Sequence, residues 1–372
     1  MRRRIWCALA GALLLTSLVI AALAADVVHL EIIPNLPASP TINANTVPAN
    51  GDVNPYGVAF VPSGFPSGGP LHPGDVAVSN FNDMGNAQGT GSTIVGIDPA
   101  GNQSLFFQAS TMLGLTTALG VLQRGFVLVG SLPSSGTCTQ SGDQELGVGQ
   151  GSLLILDHTG NVVQNLSNAA LLDGPWDLTV QDQGEFAQVF VSNALSGTVT
   201  RLDLKIPKSG IGVIVQSMTQ IASGYTHLCN TSALVVGPTG LAFDSVRNIL
   251  YVASTGDNAV YVIPGAGTRS TDAGTGTLVY QDSFHLHGPL GLALAPNGDL
   301  ISSQGDAVNP DPTQPSELVE FTPGGQFIAQ VPIDSSGMEG GAFGLAIELT
   351  AKGIRFAAVD DISNTLEVWN LK

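Results

Sequence analysis

The feature that most constrains the fold is a short sequence motif that recurs along the chain. It consists of a glycine or proline and a short turn, followed by an apolar strand. A weaker copy, "LTTALGVL" (115–122), fills the one gap between the five clear copies. The clear copies are NPYGVAFVP (54–62), GPWDLTVQ (174–181), GPTGLAFD (237–244), GPLGLALA (288–295) and GAFGLAIE (341–348). Such a spacing is typical of repeat proteins, in which each unit buries its apolar face against its neighbours.

Each repeat is predicted to contain four short strands. The fourth repeat shows them at 240–245, 249–255, 259–265 and 276–283, separated by Gly, Asp, Asn and Pro. Two of these strands alternate apolar and polar residues with a period of two, as pleated strands do. The 46 glycines and 22 prolines agree with a β protein that has many turns.

The last repeat offers only three strands, and "VVHLEIIPN" (27–35) is an unassigned strand near the N-terminus. Circular closure, in which 27–35 completes the last unit, leaves no unpaired terminal unit. The sequence therefore predicts an all-β, six-bladed β-propeller over residues 25–372. Its expected blades are 54–110, 111–168, 174–224, 237–284, 288–334 and 341–372 plus 27–35.

The N-terminus carries the pattern of a secretory signal peptide. Arg2, Arg3 and Arg4 precede an apolar run from 5 to 23, and residues 22–24 fit a small-x-small cleavage site. We expect cleavage after Ala24 and an exported protein, periplasmic or extracellular, with no membrane span after cleavage. The alternative is an uncleaved membrane anchor, since the run is almost long enough to span.

The charge excludes one class of partner. The formal net charge is −17, and the predicted signal peptide carries none of the 29 acidic residues. So acidic a surface repels phosphate backbones, which makes nucleic acid a poor partner. The expected partners are a small molecule, or a protein or peptide.

Segments such as "GPTGLAFDSVRNILYVASTGDNAVYVI" (237–263) resemble the NHL repeat and the wider superfamily of six-bladed propellers that includes regucalcin and gluconolactonase-like lactonases. The resemblance implies a divalent cation in the central channel, held by carboxylate and Asn side chains near the starts of the first strands. Among the anchor positions Gly57, Ala118, Asp177, Gly240, Gly291 and Gly344, Asp177 is the residue with a side-chain oxygen.

In a propeller, the linkers that enter the first strand of each blade lie on the same side as the turns between the second and third strands. We call this side the loop face. Those turns contain Asn80, Asn82, Asp83, Ser131, Asn193, Asp257, Asn258, Gln304, Asp306, Asp360 and Asp361. We predict a ligand site on this face, with the candidates Tyr56, Asn80, Trp176, Asp177, Asn193, Asp257, Asn258 and Phe343. The alternative for the aromatic residues is packing between blades.

A second hypothesis is a metal site made by Asp177, His227, His285 and His287. The segment "FHLHG" places two histidines on one face of an extended chain, and imidazole suits transition metals. The alternative is that these histidines bond loop carbonyls or lie at the surface. No other cofactor is indicated.

Two cysteines follow the predicted signal peptide, Cys138 and Cys229, and both fall on the loop face. An even pair in an oxidising compartment predicts a disulfide that holds the linker 223–238 over that face. Two free thiols are the alternative.

The sequence favours an exported propeller that acts as a ligand- or protein-binding scaffold through the loop face. The alternative is a metal-dependent enzyme, lactonase- or lyase-like, with its site at the channel mouth.

Overall fold

The structure is a computed structural model that describes residues 30–142, 144–208 and 212–372. The predicted signal peptide and residues 27–29 lie outside this range. In the described residues the chain forms strands and a single 3-10 turn, Ile33–Asn35, and no α-helix.

Six four-stranded antiparallel sheets, the blades, follow one another along the chain. The closing strand comes first, β1 (Ile42–Asn45). Blade 1 contains β2 (Val53–Phe60), β3 (Val76–Asn82), β4 (Thr93–Ile97) and β5 (Gln103–Gln108). Blade 2 and a hairpin inserted in it contain β6 (Leu115–Leu122), β7 (Phe126–Ser131), β8 (Ser134–Ser141), β9 (Gln144–Val148), β10 (Ser152–Asp157) and β11 (Val162–Leu166). Blade 3 contains β12 (Pro175–Asp182), β13 (Phe186–Asn193), β14 (Thr198–Lys205) and β15 (Ile214–Ser223).

The hairpin β16 (Leu228–Asn230) and β17 (Leu234–Val236) precedes blade 4. Blade 4 contains β18 (Pro238–Asp244), β19 (Ile249–Ser254), β20 (Ala259–Pro264) and β21 (Thr277–Tyr280). Blade 5 contains β22 (Pro289–Leu294), β23 (Leu300–Gln304), β24 (Glu317–Phe321) and β25 (Phe327–Pro332). Blade 6 contains β26 (Ala342–Thr350), β27 (Gly353–Asp360) and β28 (Thr365–Leu371), with β1 as its outer strand.

The inner strands of the six blades contact each other in a closed ring, in the order β2, β6, β12, β18, β22, β26 and again β2. The fold is therefore the six-bladed β-propeller that the repeats predict. An N-terminal strand does close the last blade, because β1 pairs antiparallel with β28 in the register Ile42↔Val368 to Asn45↔Thr365.

The position of the closing strand corrects the sequence prediction, which placed it at 27–35. Proline has no N–H to donate to a strand ladder, and Pro34 lies instead in the 3-10 turn Ile33–Asn35. The N–H groups of Ile32 and Ile33 donate instead to the buried carboxylate of Glu320 in blade 5, at 2.9 and 2.6 Å. Strand β1 has the alternation that closure needs, with Ile42 and Ala44 buried and the asparagines exposed.

The repeated glycine anchors lie where one inner strand crosses the next. A Cβ on Gly344 would lie 2.0 Å from the carbonyl oxygen of Tyr56 in blade 1, and one on Gly240 would lie 2.5 Å from the amide nitrogen of Leu292 in blade 5. Contacts this short exclude a side chain, so the repeated glycine follows from close packing of neighbouring blades.

A serine in the second strand joins neighbouring blades at three of these junctions. Its hydroxyl accepts the N–H of the anchor residue and donates to a carbonyl one or two residues before the next anchor. The three serines are Ser79 (from Gly57, to Thr116), Ser192 (from Asp177, to Thr239) and Ser303 (from Gly291, to Phe343).

Candidate functional site

Four aromatic side chains fill the loop-face end of the central channel. Tyr56 stacks between Phe81 and Phe343, with ring centroids 4.6 and 4.4 Å apart, and Trp176 meets the rings of Tyr56 and Phe81 edge-on. Tyr56 is 2% exposed and Trp176 1%. We call this cluster the aromatic plug. It joins three of the predicted ligand residues, Tyr56, Trp176 and Phe343, but they pack against one another, which is the alternative that the sequence left open.

Phe81 completes the plug and is not among the predicted residues. It is the last residue but one of the second strand of blade 1, which is buried along its whole length. The sequence signal is an aromatic residue between two asparagines at the end of a strand that leads to the loop face.

Two hairpins, β8–β9 and β16–β17, cover the plug and form what we call the cap. The predicted disulfide is present, because Cys138 in β8 is bonded to Cys229 in β16. Leu234 and Val235 in the cap belong to the same buried cluster as the plug. The Gln88 side chain of blade 1 donates to the carbonyl of Ser232 at 2.8 Å, which ties the cap to the ring.

A cavity of about 340 Å³ remains on the loop face beside the cap. We call it the loop-face pocket. Residues from the first-strand linkers, the second-to-third turns and the cap line it, among them Asn54, Tyr56, Asn82, Asn86, Gln88, Ser232, Asp306, Glu339, Phe343 and Asp361. It therefore lies where three turns, remote in sequence, converge from blades 1, 5 and 6.

The polar groups of this pocket are mostly acceptors. The Asn82 amide donates its N–H to Asn86 Oδ1 at 2.7 Å, and Asp306 Oδ2 accepts the N–H groups of Ser316 and Gly340 at 2.9 Å each. The oxygens Oδ1 of Asn54, Oδ1 of Asn82, Oε1 of Gln88 and Oδ1 of Asp306 are buried and have no hydrogen-bond partner. An unpaired buried acceptor is costly, so this concentration singles out the pocket.

Burial perturbs the acids of the pocket. It raises the pKa of Asp361 to about 7, with the neighbouring charge of Asp360 as the second cause. Burial also raises the pKa of Asp306, against the hydrogen bonds from Gly340 and Ser316. It raises the pKa of the Tyr56 hydroxyl as well, and the charge of Asp361 adds to that effect. Shifted acids in a pocket are a mark of functional sites.

Asp177 lies below the plug, in a second cavity of about 340 Å³ lined by the inner strands of all six blades. Its Oδ1 accepts the N–H of Leu178 at 2.8 Å, and its Oδ2 accepts the N–H of Leu241 in blade 4 at 3.1 Å. Burial raises the pKa of Asp177 to about 8. The carboxyl group thus joins blades 3 and 4.

The structure does not bring the four predicted metal ligands together. His227 Nδ1 lies 3.1 Å from Glu145 of the cap, His285 pairs with Asp282, and His287 Nε2 lies 3.4 Å from Glu317. Across residues 30–142, 144–208 and 212–372, no group of three or more His, Cys, Asp or Glu side chains is arranged to hold a metal ion. Asp177 faces the channel, but the other anchor positions hold glycine or alanine and supply no side-chain oxygen. The residues present therefore do not fit the channel cation that the resemblance implies.

The remaining predicted ligand residues serve the turns. Asn80 donates to the carbonyl of Thr46 and to Thr93, and Asn193 donates to Thr198 and Thr200. Asp257 accepts the hydroxyls of Thr226 and Ser254, and Asn258 bonds Leu286 and Gly288. None of these four lines the loop-face pocket.

Comparison with known proteins agrees with the fold. No family model matches the chain. NHL repeat-containing protein 2 is 29% identical over 136 residues in Bos taurus and 30% identical over 135 residues in Homo sapiens, which is 34% of this chain in each case. The chain spans about a fifth, 19%, of the length of these curated relatives.

Solved structures of similar fold include a gluconolactonase from Xanthomonas campestris, at a TM-score of 0.52 and 15% identity over 92% of this chain and all of the other. A putative gluconolactonase has a TM-score of 0.55 and 13% identity, over 91% of this chain and 94% of that one. Regucalcin from Agrobacterium tumefaciens, described as a calcium-binding protein, has a TM-score of 0.50 and 13% identity, over 90% and 98%. The chain is thus a six-bladed propeller with weak NHL-repeat homologues and structural neighbours of the regucalcin and gluconolactonase type. At these identities the solved structures bear on the fold alone.

Proposed function

We propose that this protein is an exported binding module that takes its ligand in the loop-face pocket. The observation that carries the proposal is the construction of that face. The aromatic plug closes the channel, the disulfide-linked cap covers the plug, and the cavity that remains presents unpaired buried oxygens. Pockets that combine an apolar wall with a few convergent polar groups are typical ligand sites.

The rival function, a metal-dependent lactonase or lyase, rests on the neighbouring propellers and on Asp177. Both carboxylate oxygens of Asp177 already accept backbone N–H groups, and the histidines face their own carboxylates elsewhere. Asp177 therefore has no carboxylate oxygen left without a partner, whereas the loop-face pocket has several such oxygens.

Two variants, each blocking one cavity, distinguish binding in the loop-face pocket from binding in the channel. Ser232→Trp places an indole at the rim of the loop-face pocket from an exposed position in the cap, and Thr179→Trp places one in the channel. Compounds that raise the melting temperature, drawn from amines, sugars, lactones and hydroxy acids, should lose their effect in Ser232→Trp and keep it in Thr179→Trp. Hits lost in Thr179→Trp alone would overturn the proposal.

Metal content and hydrolysis test the rival directly. The purified protein should hydrolyse D-glucono-δ-lactone no faster than its Asp177→Asn variant, with Ca²⁺, Zn²⁺ or Mn²⁺ present. Stoichiometric metal that disappears in Asp177→Asn, together with lactone hydrolysis, would establish the enzyme instead.

Export is part of this proposal and is supported by residues 1–24. In the described residues no helix has the length and hydrophobicity needed to cross a membrane. N-terminal sequencing of protein from the exported fraction should begin at Ala25. Protein that begins at Met1 and stays with the membrane would contradict cleavage.

A further inference from the structure

We infer that the loop-face pocket binds an organic cation, an alkylammonium or alkylguanidinium group. This inference rests on the proposed function and names the chemical class of its ligand.

The charge of the pocket supports a cation. Three carboxylates line it, Asp306, Glu339 and Asp361, and none of the described residues that line it is Lys, Arg or His. The described structure gives the Asp361 carboxylate no hydrogen-bond donor, although backbone groups of this residue bond Gly341 and Asn364. A carboxylate in such a position favours a positive partner with N–H groups.

The unpaired oxygens also call for hydrogen-bond donors. Asn54 is 4% exposed, Asn82 is 2% exposed and Asp306 is 6% exposed, yet each has an Oδ1 atom without a partner. These three side chains come from two different blades and line one cavity. Because their oxygens can only accept, the ligand must donate, as an ammonium with three N–H bonds or a guanidinium with five does.

The pocket suits a polyatomic cation better than a bare metal ion. Hard cations need several oxygens at about 2.0–2.6 Å, and no group of three acidic or histidine side chains in the described chain is arranged that way. The edges of Tyr56 and Phe343 give the cavity of about 340 Å³ an apolar wall. That wall can hold the alkyl stem of an amine while its charged end meets the carboxylates.

The same chemistry has two sources, a free amine or the side chain of a lysine or arginine in a peptide. The calorimetric test uses the purified exported protein with butylammonium and butylguanidinium as free cations, and with the peptide acetyl-Gly-Lys-Gly-amide. Gluconate and Ca²⁺ serve as anionic and metal probes. Tighter binding of the peptide than of butylammonium identifies a chain-borne cation, and the reverse order identifies a free amine.

Asp361→Asn keeps the shape of the side chain and removes its charge. The expected result is binding of at least one organic cation by the wild type and a loss of tenfold or more in affinity in Asp361→Asn. Glu185→Gln is the matched control, because it removes one charge from a largely exposed side chain in the β12–β13 turn that pairs with Lys205. Its affinity should equal that of the wild type.

Three results would overturn the inference. They are no binding of either cation or the peptide, equal binding by the wild type and Asp361→Asn, and stoichiometric Ca²⁺ binding that excludes the amines. If gluconate or another non-cationic compound binds and Ser232→Trp abolishes that binding, the inference fails and the proposed function stands. If binding is lost only in Thr179→Trp, both fail.

Discussion

At the scale of single residues, the acids of this propeller have two different roles. Asp177 stands where the other repeats have glycine or alanine, and its carboxyl group satisfies backbone N–H groups of two blades. Asp361 follows Asp360 in a turn of blade 6 and reaches a pocket without satisfying any described donor. Sequence reasoning singled out Asp177 and offered Asp361 only as one of many turn residues, because nothing in a sequence shows which acids are left unpaired.

Asp361→Asn should change how stability depends on pH. The pKa of Asp361 rises from its ordinary 3.8 to about 7 in the folded state, so folding favours the protonated form. Its stabilising contribution is complete below about pH 4 and is lost as the pH rises through about 7. The variant should therefore gain stability relative to the wild type between pH 4 and 8, measured by urea unfolding.

The control for that series is Asp98→Asn, on an exposed turn. The side chain of Asn102 lowers the pKa of Asp98, so its contribution is present above the ordinary pKa and does not change between pH 5 and 8. The prediction is wrong if the difference in unfolding free energy between wild type and Asp361→Asn stays as constant with pH as the difference for Asp98→Asn.

At the scale of elements, each blade is joined to the next by its inner strand. The glycine anchors and the serine hydroxyls show why the repeated motif has its form. Periodicity therefore predicts the inner strands and the number of blades. It could not predict the cap, because β8 and β16 have no clean apolar alternation and are held by a disulfide and the plug. It misplaced the closing strand because 27–35 is more apolar than Ile42–Asn45.

Ser303→Ala should lower the free energy of unfolding by about 1–3 kcal/mol, the cost of leaving a buried donor or acceptor unpaired. Its hydroxyl accepts the Gly291 N–H at 2.8 Å and donates to the Phe343 carbonyl at 2.5 Å. Ser335→Ala, at an exposed position, is the control and should be silent. Equal stability of the two variants in urea would show that the serine junction contributes nothing.

Replacing both Cys138 and Cys229 by serine should destabilise the protein by up to about 4–5 kcal/mol in the chain-entropy model. The sequence separation of 91 residues sets that figure. The slowest-exchanging amides of the blades should exchange faster as well as those of the cap hairpins, because the disulfide constrains the unfolded chain and so stabilises the whole ring. Faster exchange confined to the two cap hairpins would instead mean that the disulfide holds only the cap.

At the scale of the whole molecule, closure is the decisive event, since β1 links the two ends of the ring. Ile42→Asp puts a charge on its buried face and should cost about 3–5 kcal/mol, as large core losses do. Asn45→Asp, on the exposed face of the same strand, should change stability by less than about 0.5 kcal/mol. Melting curves compare the two variants. Similar losses of stability for both would argue against β1 as the closing strand.

The loop-face pocket is the feature that only the closed ring creates, because its walls come from blades 1, 5 and 6 and from the cap. A crystal structure of the purified protein grown with butylammonium at about pH 8 tests its role most directly. We expect an ammonium group within hydrogen-bond distance of Asp361 and of the unpaired oxygen of Asp306, with the alkyl chain against Tyr56 and Phe343. A cation found beside Asp177 in the channel, with the loop-face pocket unoccupied, would contradict this expectation.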